Sequence, residues 1–301
     1  MSTSPAPRAT RVPSRSRSFA VVGLAYLSAV AVAGVVVLAT GDRHPIVVAV
    51  VADVAATLAI FAWSMSVSNS SVYDAYCVAP PLIGAYWLIA AGDRGASAAR
   101  QSVVLGLVVL WAVRLTANWA RGWSGLGHED WRYVDMRAQA KGPYWLVSLS
   151  GIHLFPTVQV LLSSLALYPA LAVGTNRFGP LDVVALVVTA AAIALETVAD
   201  EQLWHFTARP GRPGAIMAEG LWGRSRHPNY LGEITFWWGL WLFGLAAAPS
   251  WWWTIVGPLA ITAMFVFASI PMLERRNLER RPGYAEHQRR VPVLVPRLRG
   301  S

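Results

Sequence analysis

Residues 225–248 read SRHPNYLGEITFWWGLWLFGLAAA, a basic and polar start that runs directly into a long apolar and aromatic stretch. Pro228 suits the first turn of a helix, where its missing N–H costs no hydrogen bond. The helix is therefore predicted to begin at about His227. Its free N–H groups and positive dipole end then lie beside Arg224, Arg226 and His227, an arrangement that can hold phosphate.

The composition of the 301-residue chain is that of a membrane protein. Apolar residues make up 55% of the chain and charged residues 14%, whereas about one quarter of a soluble domain is charged. The 24 Gly, 19 Pro and 15 Trp are typical of chains that cross a bilayer several times. An ordinary soluble domain, a disordered chain and a fibrous repeat are therefore excluded.

The net charge of +9 does not indicate nucleic acid, because every basic stretch adjoins an apolar span and positive cytoplasmic loops account for it. Cys77 is the single cysteine, so neither an internal disulfide nor a thiolate zinc site is expected. The six histidines show no ligand spacing, and we predict no metal. The glycine fingerprints and zinc-protease motifs of soluble enzymes are absent from the sequence.

Apolar segments long enough to cross a bilayer recur along the chain. The first, 19–40, is longer than the apolar core of a cleavable signal peptide, so we interpret it as a retained helix behind a disordered basic tail, 1–18. The segment 75–91 contains Pro80 and Pro81, which predict a kinked or re-entrant helix. The predicted spans are 19–40, 46–67, 75–91, 101–118, 145–173, 181–200, 230–248 and 251–273.

The spans predict an all-α fold, a polytopic membrane helix bundle of about seven to eight transmembrane helices in one domain, 19–301. The outer loops hold few cations, whereas Arg and Lys concentrate in the other loops and in both tails. This asymmetry places the N and C termini in the cytoplasm, in what we expect to be a bacterial inner membrane. The polar segments 119–144, 201–229 and 274–301 then share the cytoplasmic face, where a water-soluble cofactor would arrive.

Ionisable side chains inside a span cost about 2.5 to 3.5 kcal/mol each on insertion scales, so each needs a reason. Asp53 is alone in the second span, where protonation or a bond to a neighbouring helix would account for it. Arg114 and Asn118 lie four apart on one helix face, and Arg121 continues this face towards the cytoplasmic loop. Arg114 can alternatively extend its side chain to the membrane surface.

The sixth span ends in acidic and amide residues. Glu196 and Asp200 lie four apart, and Asp200, Glu201 and Gln202 close the helix. Acids at a helix C terminus oppose the macrodipole, so the segment breaks a local rule without an evident structural gain. It is therefore a candidate functional segment, and the alternative is an acidic surface turn.

Several motifs together resemble the C-terminal half of the steroid 5-alpha-reductase family of membrane enzymes, in particular its broad bacterial branch. These are Ser-Arg-His-Pro-Asn-Tyr-Leu-Gly-Glu at 225–233, Asp-x-Gln at 200–202, Leu-Glu-Arg-Arg at 273–276, Pro-Gly-Tyr at 282–284, Arg-Leu-x-x-Asn at 114–118 and Glu-Asp-x-Arg-Tyr at 129–133. The likeness covers about 114–296. A shorter Arg-His-Pro-x-Tyr pattern is shared with sterol reductases and isoprenylcysteine carboxyl methyltransferases.

The resemblance implies an all-helical membrane enzyme that binds NADPH in a cytoplasm-facing cavity closed by the C-terminal segment. It implies reduction of a carbon–carbon double bond conjugated to a carbonyl in a lipophilic, steroid-like or isoprenoid-like substrate. Asp200, Asn229 and Tyr230 match positions that hold the nucleotide, and Glu233 matches an acid expected to accept bonds from the amide or ribose. The complete set of expected cofactor residues is Asn118, Arg121, Asp200, Gln202, Arg224, Arg226, His227, Asn229, Tyr230, Glu233, Arg275, Arg276 and Tyr284.

Within that set, Arg224, Arg226 and His227 would meet the phosphates, and Arg275, Arg276 and Tyr284 would form a C-terminal clamp on the cofactor. Hydride transfer also needs a protein group that polarises the acceptor carbonyl and delivers a proton. Glu129 and Tyr133 are the candidates, and we expect both to lie on the cytoplasmic face, where the cofactor arrives. The first hundred residues do not align with the family.

Two alternatives remain open. An S-adenosylmethionine-dependent methyltransferase of the isoprenylcysteine carboxyl methyltransferase type would use the same basic helix start to hold the carboxylate of the methyl donor, and Glu274 would belong to its donor motif. A non-enzymatic transporter or membrane partner protein would explain Asp53, Arg114 and Glu196 within spans. The expected partners are a lipophilic small molecule and membrane lipids.

Overall fold

The computed structural model describes residues 13–92, 95–209 and 214–296, and within these ranges it contains helices and no strands. The all-α prediction is therefore confirmed. The α-helices of the described chain are α1 (Arg15–Thr40), α2 (Pro45–Ser66), α3 (Ala79–Ala91), α4 (Ala98–Gly122), α5 (Trp131–Gln139), α6 (Tyr144–Val147), α7 (Phe155–Ser164), α8 (Pro180–Thr207), α9 (Pro228–Ala247), α10 (Val256–Met264), α11 (Ile270–Arg280) and α12 (Tyr284–Arg290).

Seven helical segments of the described chain are long and apolar enough to cross a membrane, and the protein is an integral membrane protein. They are Arg15–Thr40, Pro45–Ser66, Ser70–Ala91, Ala98–Gly122, Tyr144–Val173, Pro180–Thr207 and Pro249–Arg280. The predicted span 230–248 forms α9 but is not among them. Its polar first turns and its tryptophans make it less apolar than the others, and about half of its residues are buried inside the protein.

Proline explains where the long spans change geometry. Wider π-helical turns occur at Ser148–Leu154, Pro169–Val173 and Phe265–Ser269, and tighter 3-10 turns at Ser70–Val78, Gly220–Gly223 and Pro249–Ile255. Pro156 and Pro271 each follow a π turn by two residues, and Pro169 opens one. A proline cannot donate to the preceding turn, and a widened turn accommodates the loss. The predicted span 75–91 is kinked at Ala75, whereas Pro80 and Pro81, on which the prediction rested, lie in the first turn of α3, where they do not break the helix.

The first helix begins earlier than the sequence predicts. Helix α1 starts at Arg15 rather than at residue 19, because Ser14 caps it and accepts a hydrogen bond from the Arg17 N–H at 3.4 Å. The predicted disordered tail, 1–18, is therefore helical from Arg15 onwards. Residues 1–12 of that tail lie outside the described ranges.

The chain divides into two compact units that are interleaved in sequence. Unit 1 comprises 1–76 and 119–157, and unit 2 comprises 77–118 and 158–301. The predicted cofactor-binding half, about 114–296, includes residues of both units, since 119–157 belongs to unit 1. The reason is that α4 and α7 each run from one unit into the other without a break.

Each unit has its own packing. In unit 1, α1 and α2 pack along each other around buried Ala25, Ile60 and Trp123. In unit 2, α8 packs along α9. Gly232 and Gly239 permit this close approach, since a Cβ on Gly232 would lie 2.7 Å from the Glu196 Cβ.

Candidate functional site

Unit 2 contains a cavity of about 240 Å³ beside the start of α9. Its apolar wall consists of Leu203, Ile216, Met217, Trp222 and Leu273, and its polar wall of Arg226, His227, Asn229, Tyr230, Asn277, Arg281, Tyr284 and His287. The structure thus brings five of the sequence-predicted cofactor residues together around one space. They are Arg226, His227, Asn229, Tyr230 and Tyr284.

Local sequence positions this wall. Helix α9 begins at Pro228, with His227 as its N-cap residue. The preceding turn, Gly220–Gly223, is fastened to α8, because the Leu221 N–H donates to Gln202 Oε1 at 2.9 Å. A Cβ on Gly220 would lie 2.6 Å from the Gln202 amide. Gln202 therefore holds the turn and does not line the cavity, in contrast to its expected role in binding cofactor.

Glu274, on α11, joins the basic motif to the C-terminal segment. Its Oε1 accepts hydrogen bonds from Arg226 Nε at 3.0 Å, His227 Nε2 at 2.7 Å and the Tyr284 hydroxyl at 2.9 Å. Its Oε2 accepts a hydrogen bond from the Gln288 amide. Arg226 and His227, which the sequence assigns to phosphates, therefore already share a buried carboxylate.

The basic motif also binds the backbone of the C-terminal segment. The Arg226 N–H donates to the Pro292 carbonyl at 2.9 Å, and Arg226 Nη1 donates to the Gln288 carbonyl at 2.9 Å. Burial, and then the nearby Glu274 carboxylate, raise the pKa of Tyr284 to about 12, so this hydroxyl stays protonated at neutral pH. Arg226 thus binds the C-terminal segment directly, and this is the segment that the resemblance implies closes the cavity.

A second polar cluster lies between α4 and α8. Arg114 Nη1 donates to Asp200 Oδ2 at 2.9 Å, and Asn118 Nδ2 donates to the same oxygen at 3.0 Å. Arg114 Nη2 forms an ion pair with Glu196 Oε2 at 2.7 Å. Arg114 Nε is buried and has no hydrogen-bond partner among the described residues. The two carboxylates of α8 therefore hold the Arg114 guanidinium and leave one of its N–H groups without a bond.

Asp200 links this cluster to the cavity. Asn229 Nδ2 donates to Asp200 Oδ1 at 3.4 Å, while Asn229 Oδ1 accepts from the Tyr230 N–H at 3.0 Å. Asn229 and Tyr230 line the cavity and Asp200 does not. Asp200 therefore acts on the cavity through the orientation of Asn229.

Glu233 is placed differently from its expected role. Its two carboxylate oxygens accept hydrogen bonds from the indole N–H groups of Trp111, at 2.8 Å, and Trp237, at 2.9 Å. It is buried and does not line the cavity. The resemblance implies that Glu233 accepts hydrogen bonds from the cofactor amide or ribose. In this structure its two oxygens accept them from tryptophan N–H groups.

The remaining predicted cations lie away from the cavity wall. Arg224 and Arg275 are exposed and Arg276 is half-buried, and none of the three lines the cavity. Arg121 belongs to unit 1, where its carbonyl accepts a hydrogen bond from Arg15 Nη2 at 3.2 Å. The structure therefore does not group Arg121 with the other predicted cofactor residues.

The two predicted catalytic residues lie in unit 1. Glu129 Oε1 accepts from the Ser70 N–H at 2.7 Å, and Glu129 Oε2 pairs with Arg137 at 2.9 Å. Glu129 precedes α5, whose N-cap is Asp130, so it does not share a helix face with Tyr133.

Tyr133 is buried and its hydroxyl donates to Asp74 Oδ1 at 2.7 Å. Burial, and then the Asp74 carboxylate, hold the pKa of Tyr133 well above its ordinary value. The hydroxyl therefore keeps its proton at neutral pH.

Sequence reasoning missed several polar partners. Asp74 borders a predicted span, and an acid at that depth is a signal that it has a partner. Trp111 lies in a predicted span, as tryptophans of membrane proteins often do. Its neighbours in the sequence give no indication that its N–H binds Glu233. Arg281 and His287 line the cavity, although the basic tail around them indicates only the cytoplasmic side. Within the described residues, no group of three or more His, Cys, Asp or Glu side chains is arranged to hold a metal ion.

Comparison with known proteins finds a relative and a family model that match most of the chain. A protein of Schizosaccharomyces pombe described as uncharacterized protein C594.04c is 30% identical over 264 residues, which cover 79% of this chain and 76% of that protein. No solved structure matches the chain. A family model matches residues 60–291, which include α9, Glu274 and the cavity. The chain belongs to that family, which is described as Protein of unknown function (DUF1295).

Proposed function

We propose that the protein is an NADPH-dependent membrane reductase. It reduces a carbon–carbon double bond conjugated to a carbonyl in a lipophilic, steroid-like or isoprenoid-like substrate. The observation that carries the proposal is the cavity of unit 2, whose wall includes Arg226, His227, Asn229, Tyr230 and Tyr284. The resemblance of the motif 225–233 to steroid 5-alpha-reductases supplies the chemistry.

The residues present fit a nucleotide cofactor. The apolar wall, with Leu203, Met217 and Trp222, suits a planar ring, and the amides of Asn229 and Asn277 suit a ribose or a carboxamide. A cavity of about 240 Å³ accommodates one end of a dinucleotide. Arg114 Nε, which is buried without a hydrogen-bond partner among the described residues, offers one further donor in unit 2.

The division of labour follows from the residue types. NADPH, when bound, supplies the hydride. Asn229, oriented by Asp200, would hold the cofactor, and Glu274 keeps the wall of Arg226, His227 and Tyr284 in place. Tyr133 retains its proton, but its single O–H donates to Asp74, so it would have to turn away from that carboxylate to donate a hydrogen bond to a substrate carbonyl. The role of Tyr133 is a prediction, and we assign Glu129 to the support of the Ser70 turn.

We propose that the protein lies in a bacterial inner membrane and that the cavity and both termini face the cytoplasm. This orientation follows from the distribution of Arg and Lys. A cytoplasmic opening gives a water-soluble cofactor direct access. The lipophilic substrate would arrive from the bilayer.

One observation favours a second candidate, a methyltransferase that uses S-adenosylmethionine. The Glu274 carboxylate pairs with the Arg226 cation on the cavity wall, and a less positive cavity is more compatible with a sulfonium ligand. The carboxylate of the methyl donor would then bind at the start of α9.

Isotope transfer distinguishes the candidates. Membranes containing the protein are incubated with NADPH deuterated at the transferable position, or with S-adenosylmethionine labelled in its methyl group, and the lipids are examined by mass spectrometry. We expect a lipid that gains deuterium on carbon. The transfer should be lost with Asn229→Ala and kept with Asn176→Ala, an exposed asparagine that does not line the cavity.

Label from S-adenosylmethionine alone would replace the reductase with the methyltransferase. Label from neither donor in the membranes in which the protein naturally resides would favour the non-enzymatic transporter or partner protein.

A further inference from the structure

The basic side chains around the cavity divide into a paired set and an unpaired set. Four of them line the space: Arg226, His227, Arg281 and His287. Arg226 and His227 share the Glu274 carboxylate, and Arg226 Nη1 also donates to the Gln288 carbonyl. The positive charge of the motif is therefore largely compensated within the protein.

Arg281 is different. It immediately follows α11, it is half-buried in the cavity wall, and its backbone N–H donates to the Asn277 carbonyl at 2.9 Å, which fixes the direction of the chain. Among residues 13–92, 95–209 and 214–296, its guanidinium has neither a hydrogen-bond partner nor an ion pair. A half-buried guanidinium with all its donors unused is suited to an anion, and its planar fork matches phosphate oxygens.

His287 faces the same space from α12. Its ring packs against Tyr284 with centroids 5.6 Å apart. Burial, and then the positive charge of Arg226, lower the pKa of His287, with Arg281 and His227 acting in the same direction and Glu274 opposing them. An anion placed between Arg281 and His287 would relieve this repulsion and let His287 accept a proton.

We propose that Arg281 and His287 bind a phosphate monoester on the ribose of the nucleotide cofactor, so that they, and not Arg226 and His227, select NADPH over NADH. This inference rests on the proposed function and refines it. NADPH and NADH differ only in the 2′-phosphate, so a group that contacts this phosphate determines the choice between them. Arg226 and His227 then have the separate task of holding the C-terminal segment through Glu274.

The test uses two fragments that carry no nicotinamide, adenosine 2′,5′-bisphosphate and adenosine 5′-monophosphate. Their binding to the purified full-length protein in detergent is measured by titration calorimetry. We expect the bisphosphate to bind roughly 10- to 100-fold more tightly, the range for one charged hydrogen-bonding partner. Arg281→Gln should remove this preference, and His287→Gln should reduce it.

Arg280→Gln is the matched control, since Arg280 is the exposed neighbour of Arg281 and does not line the cavity. It removes the same charge from the same segment and should keep the full preference for the bisphosphate. Thermal unfolding of each variant in detergent checks that the fold is unchanged.

The outcomes separate this inference from the proposed function. If the wild type prefers the bisphosphate and Arg281→Gln keeps that preference, the phosphate binds elsewhere and the inference is overturned, while NADPH remains the cofactor. If both fragments and both dinucleotides bind equally, the protein does not select by phosphate, and the inference again fails. If neither NADPH nor either fragment binds, the proposed function fails and the inference with it.

Discussion

Glu274 has a role that its sequence surroundings do not reveal. Arg226 and His227 at a helix start form a pattern typical of phosphate sites, but the same donors bind a carboxylate equally well. The carboxylate lies 48 residues after Arg226 in the chain, so only the folded structure shows the pairing. Five residues of the predicted set do surround one cavity, whereas the identity of their partners could not be predicted from spacing.

Glu274→Gln should destabilise the protein. The substitution keeps the shape of the side chain but removes the charge that compensates half-buried Arg226. It also replaces one of the two acceptor oxygens by an amide donor, so either the Gln288 amide or the donors on Oε1 lose their acceptor. Breaking a buried pair on one side leaves an uncompensated cation, and we expect the free energy of unfolding in detergent to fall by about 2 to 4 kcal/mol.

Glu286→Gln is the control for this measurement. Glu286 pairs with Arg289 and Arg290 on an exposed face of the short helix α12, so its loss should leave unfolding unchanged. Equal effects of the two substitutions would show that the hydrogen bonds of Glu274 do not stabilise the contact between the motif and the C-terminal segment.

Asn229→Ala tests the cavity without disturbing the helix. The change keeps Pro228 and removes no apolar contact, but it leaves a cofactor group without a partner, at a cost of about 1 to 3 kcal/mol. NADPH binding measured by titration should weaken roughly 5- to 150-fold. The loss of the long bond to Asp200 and of the local bond from the Tyr230 N–H should lower the free energy of unfolding by no more than about 1 kcal/mol. A protein that unfolds more easily yet binds NADPH with full affinity would identify Asn229 as a structural cap of α9.

At the scale of helices, periodicity and length predict the elements well, and tertiary contacts shift their ends. Helix α4 runs from Ala98 to Gly122 rather than from 101 to 118. Buried Arg100, paired with Asp182 at 2.6 Å, extends it on one side, and the polar face with Asn118 extends it on the other. Hydropathy does not register such pairs, because it counts each charged residue as unfavourable.

The contact between α8 and α9 depends on glycine. A Cβ on Gly232 would lie 2.7 Å from the Glu196 Cβ and 3.0 Å from the Ala192 carbonyl oxygen, which is backbone and cannot move aside. Gly232→Ala should therefore lower the free energy of unfolding by about 1 to 3 kcal/mol through overpacking. It should also weaken cofactor binding, since Glu196 and Asn229 lie on the two helices that it separates.

Gly106→Ala provides the comparison, because a Cβ on Gly106 in α4 meets nothing within 4 Å. Alanine favours a helix over glycine by up to about 1 kcal/mol, so this variant should be as stable as the wild type or slightly more stable. Chemical denaturation of both variants in the same detergent measures the difference. Equal stability of Gly232→Ala and the wild type would contradict the close packing of α8 on α9.

At the scale of the whole molecule, the sequence predicts the fold class and the number of spans, but not the division into two units. The units interleave because α4 and α7 each pass through both. The first boundary coincides with the end of the predicted span 101–118 and the second lies inside the predicted span 145–173, so neither can be told from an ordinary feature of one helix bundle. Arg121, Glu129 and Tyr133 consequently belong to a different unit from Asn229.

The orientation across the membrane follows from charge and can be tested independently of the site. In a Cys77→Ser background, single cysteines at Arg137, Arg212 and Arg299 should be shielded from an impermeant thiol reagent in intact cells. A cysteine at Arg94 should react. Arg94, Arg212 and Arg299 lie outside the described residues. Labelling at Arg212 from outside the cell would place the loop before α9, and with it the cavity, on the wrong side for a cytoplasmic cofactor.

The central claim is that the cavity of unit 2 binds NADPH. Its most direct test is thermal unfolding of the purified protein in detergent with NADPH, NADH or S-adenosylmethionine. A ligand at 100 times its dissociation constant adds about 2.7 kcal/mol to stability, which such a measurement resolves. We expect NADPH to stabilise the wild type more than NADH does, and to stabilise Asn229→Ala much less at the same concentration. Stabilisation by S-adenosylmethionine alone, or equal stabilisation by NADPH and NADH, would contradict this account.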